Sequence, residues 1–152
     1  MPEGVLMQMT ENGPAPVPTN ELFAGKKVAL FAVPGAFTPT CSAKHLPSFV
    51  QNAEALKAKG VDVIACMAVN DVFVMDAWGK AQEVGDKVMM LADGNGDYTR
   101  ALGLELDASG FGMGGRSQRF SIIVDDGVVS ALNVEEGGAF EVSDAETMLR
   151  QL

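Results

Sequence analysis

Two stretches of the chain are apolar without interruption, Val28 to Val33 and Val63 to Val69. Runs of that kind suit strands covered on both faces, whereas a half-exposed strand alternates. The second strand is read from Val61, across Asp62, and Lys87 to Ala92 predicts a third. Between the first two the period changes. Leu46, Phe49, Val50, Ala53 and Leu56 fall on one helical face while Gln51, Glu54, Lys57 and Lys59 lie mostly opposite, which predicts a helix from Cys41 to Gly60. Pro47 lies inside it and removes a donor, so a kink is expected there. Asn70-Asp71 can cap a second helix reaching about Val84. Tyr98 to Leu102 reads as a short helix. Phe120 to Val124 and Val128 to Val134 flank Asp126-Gly127, a strong hairpin signal. Ser143-Asp144-Ala145-Glu146 matches a capping box at the start of a last helix. The first twenty residues, interrupted by Pro2, Pro14, Pro16 and Pro18, read as irregular, with a short edge strand at most.

Strands alternating with helices and then an antiparallel hairpin imply an α/β fold: a mixed central sheet with helices on both faces. A thioredoxin-like layout is the economical solution. With no internal repeat and no linker, residues 1–152 are expected to form a single domain.

The chain has 152 residues, of which 47% are hydrophobic and 20% charged, an ordinary globular balance. Its formal net charge of -9 repels phosphate backbones and anionic lipid, so neither nucleic acid nor a membrane is an expected partner. The longest apolar run is too short to span a bilayer. Met1-Pro2-Glu3-Gly4 does not resemble a secretion leader, and a cytoplasmic location is expected. The two cysteines, Cys41 and Cys66, form no C-x-x-C pair, and His45 is the single histidine. A Cys/His zinc cluster is excluded on ligand count, and no metal or organic cofactor is expected. Gly110-Phe-Gly-Met-Gly-Gly115 satisfies G-x-G-x-x-G literally. A dinucleotide site needs a strand before that motif and a helix after it; here a polar loop precedes and a strand follows, so a mobile loop is the better reading.

The chemistry concentrates in Pro34-Gly-Ala-Phe-Thr38-Pro-Thr-Cys41. A buried strand ends, a loop stiffened by two prolines follows, and a cysteine enters the first turn of a helix. Unpaired N–H groups there carry partial positive charge, which favours a thiolate. A nucleophile alone is not enough: the rest of a large rate enhancement must come from groups that orient the substrate and stabilise developing charge. The Thr38 hydroxyl can accept and donate hydrogen bonds, and a fixed cation, best an arginine, is wanted beside the sulfur.

Val33-Pro-Gly-Ala-Phe-Thr-Pro-Thr-Cys-Ser42 followed by His45-Leu-Pro47 resembles the active-site segment of peroxiredoxins, in particular the type II or peroxiredoxin-5 subgroup. The likeness continues through Ala53 to Gly60, Val69-Asn-Asp71, Trp78-Gly79, Leu91-Ala-Asp93, Arg119-Phe-Ser121 and Ala131 to Glu135. It implies a thiol-dependent peroxidase acting on hydrogen peroxide and organic hydroperoxides. Cys41 would be the nucleophile that becomes a sulfenic acid, Thr38 would hydrogen-bond the peroxide, Pro34 would shield the pocket, and Arg119 would hold the developing charge. A homodimer, with glutathione, glutaredoxin or thioredoxin as reductant, is the corresponding expectation.

The remaining candidates are weaker. Cys66 lies in an interior strand and reads as an inert thiol, although some type II relatives resolve the sulfenic acid with a second cysteine at about this spacing. His45, one turn after Cys41, can touch the sulfur or hydrogen-bond locally in a supporting role. Trp78 reads as pocket wall, dimer surface or core, and Arg116 as a charge behind the site or a solvated one. The rival function is a non-catalytic thioredoxin-fold redox sensor, whose Cys41 reports oxidation to a partner.

Overall fold

In the computed structural model, which covers residues 1–152, the expected strands and helices are joined by elements the sequence did not announce. The chain runs β1 (Val5–Thr10), β2 (Gly13–Pro18), α1 (Thr19–Phe23), β3 (Lys27–Ala32), a π-turn (Cys41–His45), α2 (Leu46–Gln51), α3 (Ala53–Ala58), β4 (Val63–Ala68), α4 (Val72–Ala81) and β5 (Met89–Ala92). It continues through α5 (Asp97–Leu102), β6 (Glu105–Asp107), β7 (Gly115–Ser117), β8 (Phe120–Asp125), β9 (Val128–Val134) and α6 (Ala145–Gln151). One seven-stranded sheet has the order β2-β1-β5-β4-β3-β8-β9. Its centre, β3-β4-β5, is parallel, and the flanking pairs are antiparallel.

The continuous apolar runs form the middle of this sheet because both faces are covered. Ala29, Phe31 and Val33 pack with Ile64, Cys66 and Ala68 against α2, α3, α4 and α6. Val28, Leu30 and Ala32 face the other way with Ala65 and Met67, toward α1 and Tyr98 of α5. This is the thioredoxin-like arrangement. Asp71 caps α4 as read, accepting from the Val74 N–H at 2.8 Å.

Several readings need correction. The N-terminal segment is a regular hairpin, with Val5 opposite Pro18, Met7 opposite Pro16 and Met9 opposite Pro14. Prolines two residues apart turn their missing N–H groups to one side, the outer edge, where no ladder bond is lost. The kink expected at Pro47 is instead absorbed one turn earlier: the Leu46 N–H bonds the Cys41 carbonyl, five residues back. A second break falls at Asn52, between α2 and α3. The region read as a plain loop after α5 contains the two-stranded β6-β7 ribbon, and the glycine motif is its tip. Finally, Ser143 is no cap. The last helix starts after Asp144, and the Ala145 N–H is bonded by the Ser48 hydroxyl of α2 at 3.3 Å.

Candidate active site

Cys41 opens the π-turn and is fully buried. Arg119, in the two-residue link between β7 and β8, reaches it across 78 positions of sequence: Nη2 donates to the Cys41 Sγ at 3.1 Å. The arginine arrives there because its backbone continues the β8-β9 ladder, its carbonyl accepting from the Glu135 N–H at 2.9 Å. Its side chain then shares a face with Ser121 and Ile123, above the helix that carries Cys41. Arg119 is only 8% exposed, and no carboxylate lies within ion-pair distance; the two ion pairs of the molecule, Lys80–Asp76 and Arg100–Asp97, are on the surface. A buried guanidinium without an acid partner is costly. The group that its Nη2 meets instead is the Cys41 sulfur.

The second arm of the guanidinium meets His45, Nη1 to Nδ1 at 2.9 Å. Arginine has only donors, so Nδ1 must be the acceptor and the ring proton belongs on Nε2. There it donates to the Ser143 carbonyl at 3.0 Å. The imidazole is packed among Phe31, Phe49 and Phe140, with ring centres 4.9, 5.8 and 5.0 Å away. Burial in this apolar cage, followed by the charge of Arg119, lowers its pKa from 6.5 to about 3. His45 is therefore a neutral acceptor.

Ser143 is itself held. Its N–H and hydroxyl bond one oxygen of Glu135 at 2.8 and 2.6 Å, and the N–H groups of Glu141 and Val142 reach the same oxygen at 2.9 Å. Burial pushes the Glu135 carboxyl up, but the Ser143 hydroxyl and these three N–H groups outweigh it and hold the group below its ordinary value. A closed circuit results: Arg119 side chain, His45, Ser143, Glu135, Arg119 main chain.

The loop before Cys41 is fixed from behind. The Asn70 side chain accepts from the Ala36 N–H at 3.0 Å. A Cβ on Gly35 would lie 3.2 Å from the Met113 methyl and 3.3 Å from Arg116 Nη1, so the ribbon side chains seat closely against this glycine. Phe37 takes a left-handed backbone (φ 64), an uncommon conformation for a bulky residue and a constraint on the turn leading to Thr38. The Thr38 hydroxyl donates to the Gly35 carbonyl at 2.7 Å. Its proton is thereby used within the loop, and what it offers a substrate is an acceptor lone pair, half of the role read from sequence. Pro34 is half-buried at the exit of β3. A cavity of about 410 Å³, lined by residues such as Met9, Lys80 and Val88, includes none of these groups.

The sequence profile of the Redoxin family matches residues 1–149. Peroxiredoxin-2B of Arabidopsis thaliana is 52% identical over 153 residues, covering 100% of this chain and 94% of that protein. The chain belongs to the peroxiredoxin family. Chloroplastic Peroxiredoxin-2E of the same plant is 59% identical over 138 residues, or 90% of the chain. This peroxiredoxin spans 59% of that relative's length and 60% of its Oryza sativa counterpart's. The solved structure of reduced Prx3 from Vibrio vulnificus in complex with H2O2 superposes with a TM-score of 0.94 at 58% identity, covering 98% of this chain and 93% of that one.

Beyond the central pair, this peroxiredoxin settles the other candidates differently. Cys66 sits in mid-β4, in register between Phe31 and Met90, fully buried and free, as is Cys41. Burial and then the neighbouring Cys41 push its thiol well above the ordinary range, against a smaller opposite effect of Arg119. Trp78 is core and has no exposed surface; its Nε1 donates to the Ser42 hydroxyl at 3.0 Å and so pins the residue next to Cys41. Arg116 is half-buried and makes no hydrogen bond to the sulfur: it donates to the carbonyls of Met113 and Val69 and ties the ribbon to the end of β4. Glu135 and Ser143 were missed as site residues.

Proposed function

We propose that the chain is a thiol-dependent peroxidase. The Cys41 thiolate attacks one oxygen of a hydroperoxide. The S–O bond forms as the O–O bond breaks, the sulfur is oxidised to a sulfenic acid, and the leaving hydroxide or alkoxide takes a proton from water. Arg119 stabilises the charge on sulfur before the step and on the leaving oxygen during it. Thr38 accepts from the peroxide O–H, and Pro34 shields that side of the sulfur. An external thiol then attacks the sulfenic sulfur and water departs. A second thiol reduces the mixed disulfide, restoring the thiolate. Peroxide and two thiols balance the cycle without metal or organic cofactor. The observation that carries this reading is the buried Arg119, with no carboxylate within ion-pair distance and its Nη2 on the Cys41 sulfur.

Glutathione with glutaredoxin is the reductant we favour over thioredoxin, in a one-cysteine cycle, in a homodimer, and in a reducing compartment for which the cytoplasm is our proposal. Support for the one-cysteine cycle comes from Cys66, whose buried, poorly ionised thiol is a weak nucleophile. Cys66→Ser should keep more than about half of the steady-state rate with glutathione and glutaredoxin; loss of turnover, or a Cys41–Cys66 disulfide in the mass spectrum of peroxide-treated protein, would assign it the resolving role instead. The peroxidase reading itself is tested by giving the protein excess peroxide and excess thiol. Many equivalents should be consumed per chain, whereas consumption that stops after one equivalent identifies a sensor.

A further inference from the structure

The usual partner of a buried arginine is a carboxylate, and the site has one to hand in Glu135. Yet Glu135 is directed onto four other donors of residues 141–143, and a neutral imidazole stands against the guanidinium in its place. The difference is electrostatic. A carboxylate at 2.9 Å would draw the guanidinium toward itself and cancel the field that the sulfur and the leaving oxygen need. An uncharged acceptor orients the planar fork with little loss of that field. For the imidazole to act this way its Nδ1 must be bare, and the Ser143 carbonyl, an acceptor only, enforces this by claiming the proton on Nε2. Glu135 in turn fixes Ser143 and bonds the main chain of Arg119, so both ends of the arginine are referred to one anchor.

We propose that His45, its tautomer set by Ser143 and Glu135, is the positioning residue that aims the Arg119 guanidinium at the Cys41 sulfur without neutralising it. This rests on the peroxidase reading and adds to it a reason for the histidine. The two ring nitrogens of His45 are taken by Ser143 and Arg119, so it makes no hydrogen bond to the sulfur and acts through Arg119.

The decisive comparison is His45→Asn against His45→Asp. Both side chains are smaller than imidazole by the same amount, and both place an oxygen near the Nδ1 position. They differ in charge. The single tryptophan, Trp78, tied to Ser42 beside Cys41, provides a stopped-flow fluorescence signal for oxidation in one turnover. His45→Asp is expected to react with hydrogen peroxide at least about tenfold more slowly than His45→Asn, despite equal or greater thermal stability from its ion pair with Arg119. Equal rates for the two variants would reduce His45 to a packing residue and overturn the proposal. Should either variant fail to fold, the nitrogen NMR shifts of the single histidine in the unaltered protein decide instead. Protonation on Nε2 alone at pH 7 is expected; a proton on Nδ1 refutes the assignment. Multiple turnover by the unaltered protein tests the peroxidase reading separately, so failure of one is not mistaken for failure of the other.

Discussion

Replacing Arg119 by methionine is expected to slow the single-turnover reaction with hydrogen peroxide by about 10²–10³-fold, the usual cost of losing one donor aimed at developing charge, while leaving the protein folded. Most buried residues do not separate activity from stability this way. The guanidinium is held 8% exposed with no carboxylate beside it, so its removal relieves a desolvation cost. Methionine fills a similar volume and adapts its shape. Against that relief, His45 Nδ1 loses its donor, a penalty of about 1–3 kcal/mol. The two effects offset, and the urea midpoint should correspond to a change of less than about 2 kcal/mol. Stopped-flow oxidation and equilibrium unfolding on the same preparation check both halves. A rate loss under tenfold would remove Arg119 from the chemistry; a stability loss above about 4 kcal/mol would make it a structural residue first.

That separation reflects how the site is built, and it explains which parts of it could be read from the chain. Local features were accessible. The run Val28 to Val33, the loop with two prolines and the cysteine after it lie within a few residues of one another, and their geometry follows from strand burial and restricted φ. Arg119 was different. Elementary chemistry called for a cation near the sulfur, but nothing in spacing selects one of several arginines 78 positions away; the peroxiredoxin pattern selected it. Glu135 and Ser143 escaped both approaches. Ser143 was read as a helix cap because Ser-x-x-Glu is a local signature, yet a carboxylate eight residues upstream took its N–H and hydroxyl first. Long-range competition of this kind leaves no periodic trace.

The fold shows the same division. Central strands were legible because they are apolar on both faces, and α4 because Asp71 caps it locally. The N-terminal hairpin was hidden by its prolines, which break β patterning in the chain but are harmless on the outer edge of a sheet. The β6-β7 ribbon was hidden because Glu105, Leu106 and Asp107 are all exposed and give no alternation to follow. Its importance lies in Met113 and Arg116, whose side-chain ends lie close behind Gly35 in the loop before Cys41.

Stability is expected to fall by about 2 kcal/mol between pH 7 and pH 5, a slope that a single group produces. The sign follows from His45. In the unfolded chain its pKa is that of a free imidazole, 6.5; in the fold, burial and then Arg119 lower it to about 3. Between those values the unfolded state binds a proton that the native state refuses, so acid favours unfolding. The contribution is complete above pH 6.5 and is lost as pH falls toward 3. Glu135, held below its ordinary value by hydrogen bonds that outweigh its burial, acts in the same direction but only at lower pH, as the unfolded carboxyl begins to take up a proton near 4.5. His45 is the single histidine, so the part of the slope that vanishes in His45→Asn belongs to it. Urea midpoints at pH 7, 6 and 5 should therefore decline more steeply in the unaltered protein than in His45→Asn. Parallel pH profiles for the two proteins would mean that the imidazole is protonated as readily inside the fold as outside it. Arg119 would then face a cation, and the arrangement that holds it on the sulfur could not stand.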